Sequence, residues 1–127
     1  MQPTNKTILL VEDDNSLLQP LSDHLSEAGF NIIQAQDGET GLDLALKNHP
    51  DLIMADIVMP KMNGLVMLEK LRQDPWGKNV QVIMLTNFSS TDNISAAMVN
   101  HVFDYIVKSD WSLEEVVKKV KEKLEQK

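Results

Sequence analysis

Polar side chains stand directly after four apolar runs of this sequence, and their chemical types suit the binding of a cation and a phosphoryl group. Taken one at a time, each has an ordinary interpretation as a helix cap, a turn residue, a strand end or a solvated charge. Taken together, they offer carboxylates, a hydroxyl group and an ammonium group. In chain order they are Glu12, Asp13 and Asp14, then Asp56, then Thr86 and Asn87, then Lys108 and Ser109.

The carboxylates among these residues predict a metal site if the fold brings them together. Clustered carboxylates repel one another unless a cation neutralises them. Mg²⁺ suits such a cluster because it prefers oxygen ligands, usually takes one or two carboxylates, and keeps waters that a phosphoryl oxygen can replace. A carboxylate can also act as the nucleophile and form an aspartyl phosphate, while the cation and a Lys ammonium balance the phosphoryl charge.

Five short apolar runs are the strands that must position these residues. The near-continuous apolar character of the first, third and fourth runs indicates burial on both faces, as in a central parallel sheet. The predicted strands are Thr7 to Val11, Phe30 to Ala35, Leu52 to Ala55, Val80 to Leu85 and Tyr105 to Val107.

Segments with helical periodicity alternate with the strands. The first helix carries an apolar stripe from Leu17 to Ala28 and is followed by Gly29, a residue typical of helix ends. The fifth follows Ser112, and Glu115 stands at the spacing of a capping box. Three helices between them are marked by Leu42, Ala45 and Leu46, by Leu65, Leu68 and Leu71, and by Ile94, Ala97 and Met98.

Five βα units predict an α/β fold in which a doubly wound five-stranded parallel sheet is flanked by five helices, the (βα)5 flavodoxin-like arrangement. Ligands of such folds bind at the carboxyl ends of the strands. The polar residues that follow the strands are therefore expected to meet at one edge of the sheet.

Length and composition limit the classes of protein that this chain can represent. We expect a single domain over residues 1–127, with no output domain in this chain, since 127 residues is the size of one domain. A net charge of −7 argues against direct nucleic-acid binding through a basic face. The absence of cysteine excludes disulfides and thiolate metal sites. Without an apolar run of membrane-spanning length or a signal-peptide core, we expect a soluble, cytoplasmic protein with no membrane partner.

The ordered motifs ILLVEDD, IMADIVMPKMNG, VIMLT and YIVKS resemble the receiver domain of two-component response regulators over essentially the whole chain. The resemblance implies that Asp56 accepts the phosphoryl group. It also implies that Asp13 and Asp56 bind Mg²⁺ directly, that Glu12 acts through water, and that Val58 offers its backbone carbonyl. Lys108 would pair with the phosphoryl group.

The resemblance further implies a signalling role and two kinds of protein partner. A sensor histidine kinase or phosphotransfer protein would supply the phosphoryl group, and the chain would be catalytic only upon itself. Thr86 would move towards the phosphoryl group and Tyr105 would change its exposure. The surface of the fourth helix, fifth strand and fifth helix would then contact a downstream protein. By the same resemblance, Asp14 would cap a helix, and Met59, Pro60 and Gly64 would shape the acceptor loop.

Two positions depart from the family pattern. Ser109 replaces the proline that usually follows the Lys, so the loop carries either a costly non-proline cis bond or a trans path that places Lys108 differently. Asn87 replaces a small residue, which leads to the hypothesis that autodephosphorylation is altered.

Two other functions remain open at the level of the sequence. The first is a Mg²⁺-dependent phosphatase or hydrolase that uses Asp56 as its nucleophile, although the chain has no cap domain or long lid loop to enclose a small substrate. The second is a receiver-like interaction module that is never phosphorylated. Such a module would be expected to lack one of the five motif residues, and all five are present: Glu12, Asp13, Asp56, Thr86 and Lys108.

Overall fold

The computed structural model describes residues 6–57, 59, 61–86, 104–107 and 112–125, with the backbone alone at residues 86, 104–107 and 125. Its strands are β1 Thr7–Val11, β2 Asn31–Ala35, β3 Leu52–Asp56, β4 Gln81–Thr86 and β5 Asp104–Val107. Its helices are α1 Asn15–Glu27, α2 Gly38–Asn48, α3 Gly64–Arg72 and α4 Leu113–Glu125. The predicted fourth helix, around Ile94, Ala97 and Met98, lies outside the described residues, so α4 is the helix predicted as the fifth.

The strands form a parallel sheet in the order β2-β1-β3-β4-β5, which confirms the predicted parallel α/β architecture. The chain steps from β1 outward to β2 and then back across β1 to β3. The strand order therefore reverses beside β1. In a doubly wound sheet this reversal opens a crevice at the carboxyl ends of the strands, here between β1 and β3.

Helices cover both faces of the sheet, because alternate residues of each strand point to opposite sides. On one side, α2 and α3 pack on a buried layer made of Leu9, Val11, Ile53, Ala55, Val82 and Met84. On the other side, α1 and α4 pack on a buried layer made of Ile8, Leu10, Leu52, Met54, Ile83 and Leu85. This two-sided burial is the reason why the central strands contain almost no polar residue.

Two strands extend one residue beyond their predicted carboxyl ends. Asp56 and Thr86 are the last residues of β3 and β4, whereas the sequence placed both just after their strands. Ladder pairing continues through them because it uses backbone groups: Asp56 aligns with Leu85, and Thr86 with Val107. At the other end of a strand, Phe30 was wrongly included in β2, since its N–H donates to the carbonyl of Leu25 in the turn that ends α1.

The helix ends follow the predicted signals. Ser112 and Glu115 form the expected reciprocal capping box at the start of α4, with Ser112 N–H donating to Glu115 Oε1 (3.1 Å) and Glu115 N–H to Ser112 Oγ (3.2 Å). Gly29 adopts the left-handed conformation after α1 (φ 103°). No helix within the described part of the chain combines the length and the hydropathy needed to cross a membrane.

Candidate metal and phosphoryl site at the carboxyl edge

Three carboxylates meet at the crevice between β1 and β3. Glu12 and Asp13 follow β1 directly, and Asp56 is the last residue of the neighbouring strand β3. One carboxylate oxygen from each of the three lies within 4.8 Å of the other two. Glu12 and Asp56 are only 1% and 5% exposed, whereas Asp13 is open to solvent. The predicted convergence of these side chains is confirmed.

The backbone around β1 fixes the orientation of Glu12. Its N–H donates to the carbonyl of Ala35 at the end of β2 (2.9 Å), and its Oε2 accepts the N–H of Asp14 (3.1 Å). Asp14 is the N-cap of α1, with its Oδ1 accepting from the N–H (3.0 Å) and hydroxyl (2.6 Å) of Ser16. Its carboxylate is thus committed to the helix, as the sequence predicted, and Glu12 and Asp13 are the carboxylates that β1 contributes to the cluster.

Close packing behind Asp56 determines the path of the loop that follows it. The N–H of Ile57 donates to Leu85 in β4 (3.1 Å), and the N–H of Gly64 donates back to Ile57 (2.8 Å). A Cβ on Gly64 would lie 2.2 Å from the backbone oxygen of Asp56. Glycine is therefore required here by the close approach of two backbone segments, which agrees with its predicted structural role.

The donor set of this cluster fits Mg²⁺. All three groups offer hard carboxylate oxygens, and the exposure of Asp13 leaves one side of the cluster open to water. Mg²⁺ in proteins takes few carboxylates and retains water ligands, whereas Zn²⁺ sites are usually built from Cys and His. Glu12, Asp13 and Asp56 are the residues that would hold the ion.

Several predicted site residues lie outside the described part of the chain or are described by their backbone alone. Val58, Pro60, Asn87, Lys108 and Ser109 lie outside the described residues. The backbone of Thr86 ends β4, next to β3 at the carboxyl edge, and the backbone of Tyr105 pairs with Met84 in the sheet. Their side-chain roles, like that of Lys108, stay predictions.

Sequence reasoning missed a polar contact between the start of α2 and the loop after Asp56. Asp37 caps α2 by accepting from Thr40 N–H (2.7 Å), and its Oδ2 lies 3.9 Å from Lys61 Nζ. The hydrogen bond from Thr40 N–H is the main reason why the pKa of Asp37 lies below its ordinary value, with Lys61 adding a smaller effect. The Asp-Gly pair at positions 37 and 38 was the available signal for a turn and cap.

Known proteins share both the sequence pattern and the fold. The DNA-binding dual master transcriptional regulator RpaA of Synechocystis is 32% identical over 114 residues, which are 90% of this chain and 47% of that protein. The response regulator ArlR of Staphylococcus aureus is 34% identical over 90% of this chain and 50% of its own length. The chain thus spans about half the length of the curated relatives it matches.

A CheY-like receiver domain protein from Methanospirillum hungatei superposes with a TM-score of 0.87 at 28% identity, covering 95% of this chain and 94% of that one. A family model described as the response regulator receiver domain matches residues 8–121, and the chain therefore belongs to the receiver domains of two-component response regulators.

Proposed function

We propose that this receiver domain is a phosphoacceptor switch. It takes a phosphoryl group from a histidine kinase or phosphotransfer protein onto Asp56, with Mg²⁺ bound by Asp13 and Asp56 directly and by Glu12 through water. By the family resemblance, the backbone carbonyl of Val58, which lies outside the described residues, would complete the protein ligands. The module works in the cytoplasm, because a histidine kinase draws its phosphoryl group from ATP.

The observation that carries this proposal is the convergence of three carboxylates around the end of β3. Such a cluster costs stability through repulsion between like charges, so its presence favours a function that uses a cation. The crystal structure of the receiver domain of a sensor histidine kinase from Pseudomonas aeruginosa has a magnesium ion in its active site cleft. That protein is 21% identical and superposes with a TM-score of 0.88. The shared fold is consistent with a cation at the corresponding edge here.

The chemical step is a displacement at phosphorus. A carboxylate oxygen of Asp56 attacks, a new O–P bond forms, and the P–N bond of the donor phosphohistidine breaks. The departing imidazole nitrogen keeps the electron pair of that bond and takes up a proton from water. Bound Mg²⁺ would balance the negative charge on the phosphoryl oxygens. Lys108 would contribute a second positive charge. Asp56 is only 5% exposed, so its carboxylate is largely withdrawn from solvent.

The output of the switch is a change of surface. Thr86 is the last residue of β4, and Tyr105 lies two register positions further from the carboxyl edge on the adjacent strand β5, where it pairs with Met84. A hydroxyl that turns towards the phosphoryl group would leave room for the aromatic ring to move inward. The face that changes comprises β5, α4 and the segment around Ile94, Ala97 and Met98 that the sequence predicts as a helix, which lies outside the described residues. A downstream protein would read this face. The module is catalytic only upon itself.

The test is mass spectrometry of the intact protein after incubation with acetyl phosphate and Mg²⁺. We expect one phosphoryl adduct on the wild type and none on Asp56→Asn. Asp23→Asn is the matched control, because Asp23 is an exposed aspartate on α1 away from the cluster, and it should be phosphorylated like the wild type. When EDTA replaces Mg²⁺ from the start of the incubation, no adduct should form on the wild type or on Asp23→Asn.

An unmodified wild type, or an equal adduct on Asp56→Asn, would contradict the proposal. Steady turnover of small phosphate esters would instead favour the phosphatase interpretation, in which Asp56 is the nucleophile of a true enzyme.

A further inference from the structure

The first turn of α2 lies directly against the loop that follows Asp56. A Cβ placed on Gly38 would be 1.9 Å from the backbone oxygen of Met62 and 2.8 Å from its carbonyl carbon. These are backbone atoms, so no side chain can rotate to make room. Gly38 therefore holds the two segments at a separation that any other residue would increase.

A second contact holds the same two segments together. Asp37 accepts two hydrogen bonds from Thr40, at its N–H (2.7 Å) and its hydroxyl (3.0 Å). The same carboxylate lies 3.9 Å from Lys61 Nζ, and the Asp37 side chain is only 14% exposed. Lys61 itself is in the left-handed conformation (φ 67°), which shows how tightly the loop turns at this point.

The contacted loop begins at Asp56 and is closed on itself. The N–H of Gly64 donates to the carbonyl of Ile57 (2.8 Å), and Gly64 packs on the backbone oxygen of Asp56. Residues 61 and 62 are therefore part of the same short closed loop as the end of β3. A displacement of residues 61–62 would be passed to the backbone that carries the Asp56 carboxylate.

We propose that Asp37 and Gly38 are positioning residues for the metal site, and that the start of α2 holds the acceptor loop in the geometry that Mg²⁺ requires. The inference rests on the proposed function, because it assumes that the acidic cluster binds Mg²⁺. Neither residue belongs to the acidic cluster that would hold the ion. They act through the backbone of residues 61–62, in the way that outer residues orient the ligands of a metal site.

The test is the affinity for Mg²⁺ alone, measured by calorimetric titration. Gly38→Ala should lower the affinity by about tenfold, as is typical when the support of metal ligands is disturbed. Gly77→Ala is the matched control: a Cβ there would lie 2.1 Å from the backbone oxygen of Leu71, at the opposite edge of the sheet. It should destabilise the fold in the same way and leave the affinity unchanged.

A second pair of variants covers the case in which Gly38→Ala does not fold. Asp37→Ala removes the cap and the contact with Lys61 without adding bulk, and should weaken Mg²⁺ binding severalfold. Asp43→Ala removes the same charge from the exposed side of α2, where Asp43 pairs with Lys47 at 3.6 Å, and should bind Mg²⁺ like the wild type.

Hydrogen exchange of the Gly64 amide provides a readout that does not depend on metal. The amide should exchange faster in Gly38→Ala and Asp37→Ala than in Gly77→Ala and Asp43→Ala. Equal Mg²⁺ affinity within each pair, with the wild type binding Mg²⁺, would overturn the positioning role and leave the proposed function intact. A wild type that binds no Mg²⁺ would overturn the metal site itself. In that case, if the Gly64 amide exchanged at the wild-type rate in Gly38→Ala and Asp37→Ala, the start of α2 would also be shown not to support the loop after Asp56.

Discussion

Charged side chains are arranged in opposite ways at the two ends of the strands, which we call the carboxyl edge and the amino edge of the sheet. At the carboxyl edge, between β1 and β3, the chain brings together groups of the same charge. At the amino edge, the segment between α3 and β4 pairs hydrogen-bond donors with acceptors: a guanidinium group with backbone carbonyls, and a carboxylate with backbone N–H groups. Backbones also approach closely at both edges, at Gly38 and at Gly77, so tight packing does not distinguish them.

At the amino edge, one cationic and one anionic side chain form hydrogen bonds with backbone groups. Arg72 donates to the carbonyls of Gly77 (2.7 Å) and Val80 (2.8 Å). Asp74 accepts the N–H groups of Trp76 (2.9 Å) and Gly77 (3.1 Å). Burial lowers the pKa of Arg72 from its usual value, which is the cost of holding the guanidinium inside the turn.

The difference separates an edge whose charged side chains bind backbone groups from an edge where three carboxylates converge. At the amino edge each charge satisfies backbone groups that would otherwise be costly to bury. At the carboxyl edge, a bound cation would relieve the repulsion among Glu12, Asp13 and Asp56. A functional site is therefore expected to show a gain in stability when its charges are removed, whereas a structural polar cluster shows a loss.

The largest expected effect is at the amino edge. Arg72→Met removes the guanidinium group that donates to the carbonyls of Gly77 and Val80, while keeping an apolar side chain. Because hydrogen bonds from a charged donor are among the stronger ones, we expect a loss of about 3 kcal/mol in the free energy of unfolding by urea. Mg²⁺ affinity should stay unchanged, since the turn lies at the far end of the strands.

Lys70→Met is the control for this variant. Lys70 is an exposed cation in the last turn of the same helix, so its loss should change stability little. If Arg72→Met weakened Mg²⁺ binding more than Lys70→Met, the two edges would be coupled and the contrast between them would fail.

The second prediction concerns the carboxyl edge and has the opposite sign. Asp13→Asn keeps the size of the side chain but removes one negative charge beside Glu12 and Asp56. In Mg²⁺-free buffer the variant should be more stable than the wild type by about 1 kcal/mol, the scale of repulsion between charges that water partly screens. Added Mg²⁺ should stabilise the wild type strongly and the variant weakly, because only binding to the folded state contributes.

Thermal unfolding with and without Mg²⁺ measures both effects. Asp23→Asn should match the wild type in its stability without Mg²⁺ and in its stabilisation by Mg²⁺, because Asp23 lies on α1 outside the cluster. A loss of stability in Asp13→Asn without Mg²⁺ would mean that the acidic cluster is held by the protein itself and does not depend on a cation.

Much of the fold follows from patterns that are local in the sequence. The continuous apolar runs of β1 and β3 predict burial on both faces, and both faces are buried. The Asp14 cap, the capping box of Ser112 and the turn at Gly29 each depend on residues within one helical turn, and each is confirmed. The acidic cluster was also predictable, because parallel strands place their carboxyl ends together.

What the sequence could not show depends on distances between segments far apart in the chain. Gly38 at the start of α2 lies against Met62 in the loop that follows β3, and no sequence pattern near either residue predicts this contact. Leu46 matches the helical stripe of α2 and yet is 38% exposed, since periodicity alone does not say how far the buried face extends. The predicted carboxyl ends of β3 and β4 are one residue too early, because backbone hydrogen bonding in a sheet does not depend on the polarity of the side chain.

The smallest expected effect lies between the acidic cluster and its support, at Asp37. The pKa of this carboxyl is below its ordinary value of 3.8, chiefly because Thr40 N–H donates to it, so the folded state favours the charged form. Its contribution to stability is therefore fully present above the ordinary value and is lost as the pH falls through the lowered pKa. Asp37→Asn keeps the cap acceptor but cannot titrate. Because Lys61 is 64% exposed, the charged form should be worth only a few tenths of a kcal/mol.

Urea unfolding at a series of pH values tests this expectation. The wild type should exceed Asp37→Asn by a constant amount above about pH 5, and the difference should vanish below the lowered pKa. Asp43→Asn serves as the control for a simple loss of charge from α2. If Asp43→Asn reproduced the same pH-dependent difference, the net charge of the helix would explain the effect. If only Asp37→Asn shows it, the carboxylate at the start of α2 contributes through the Thr40 and Lys61 contacts. The charge of Asp37 would then stabilise the start of α2, which supports the loop after Asp56, at neutral pH. The carboxylates of the proposed metal site differ, because a bound cation is needed to stabilise their charges.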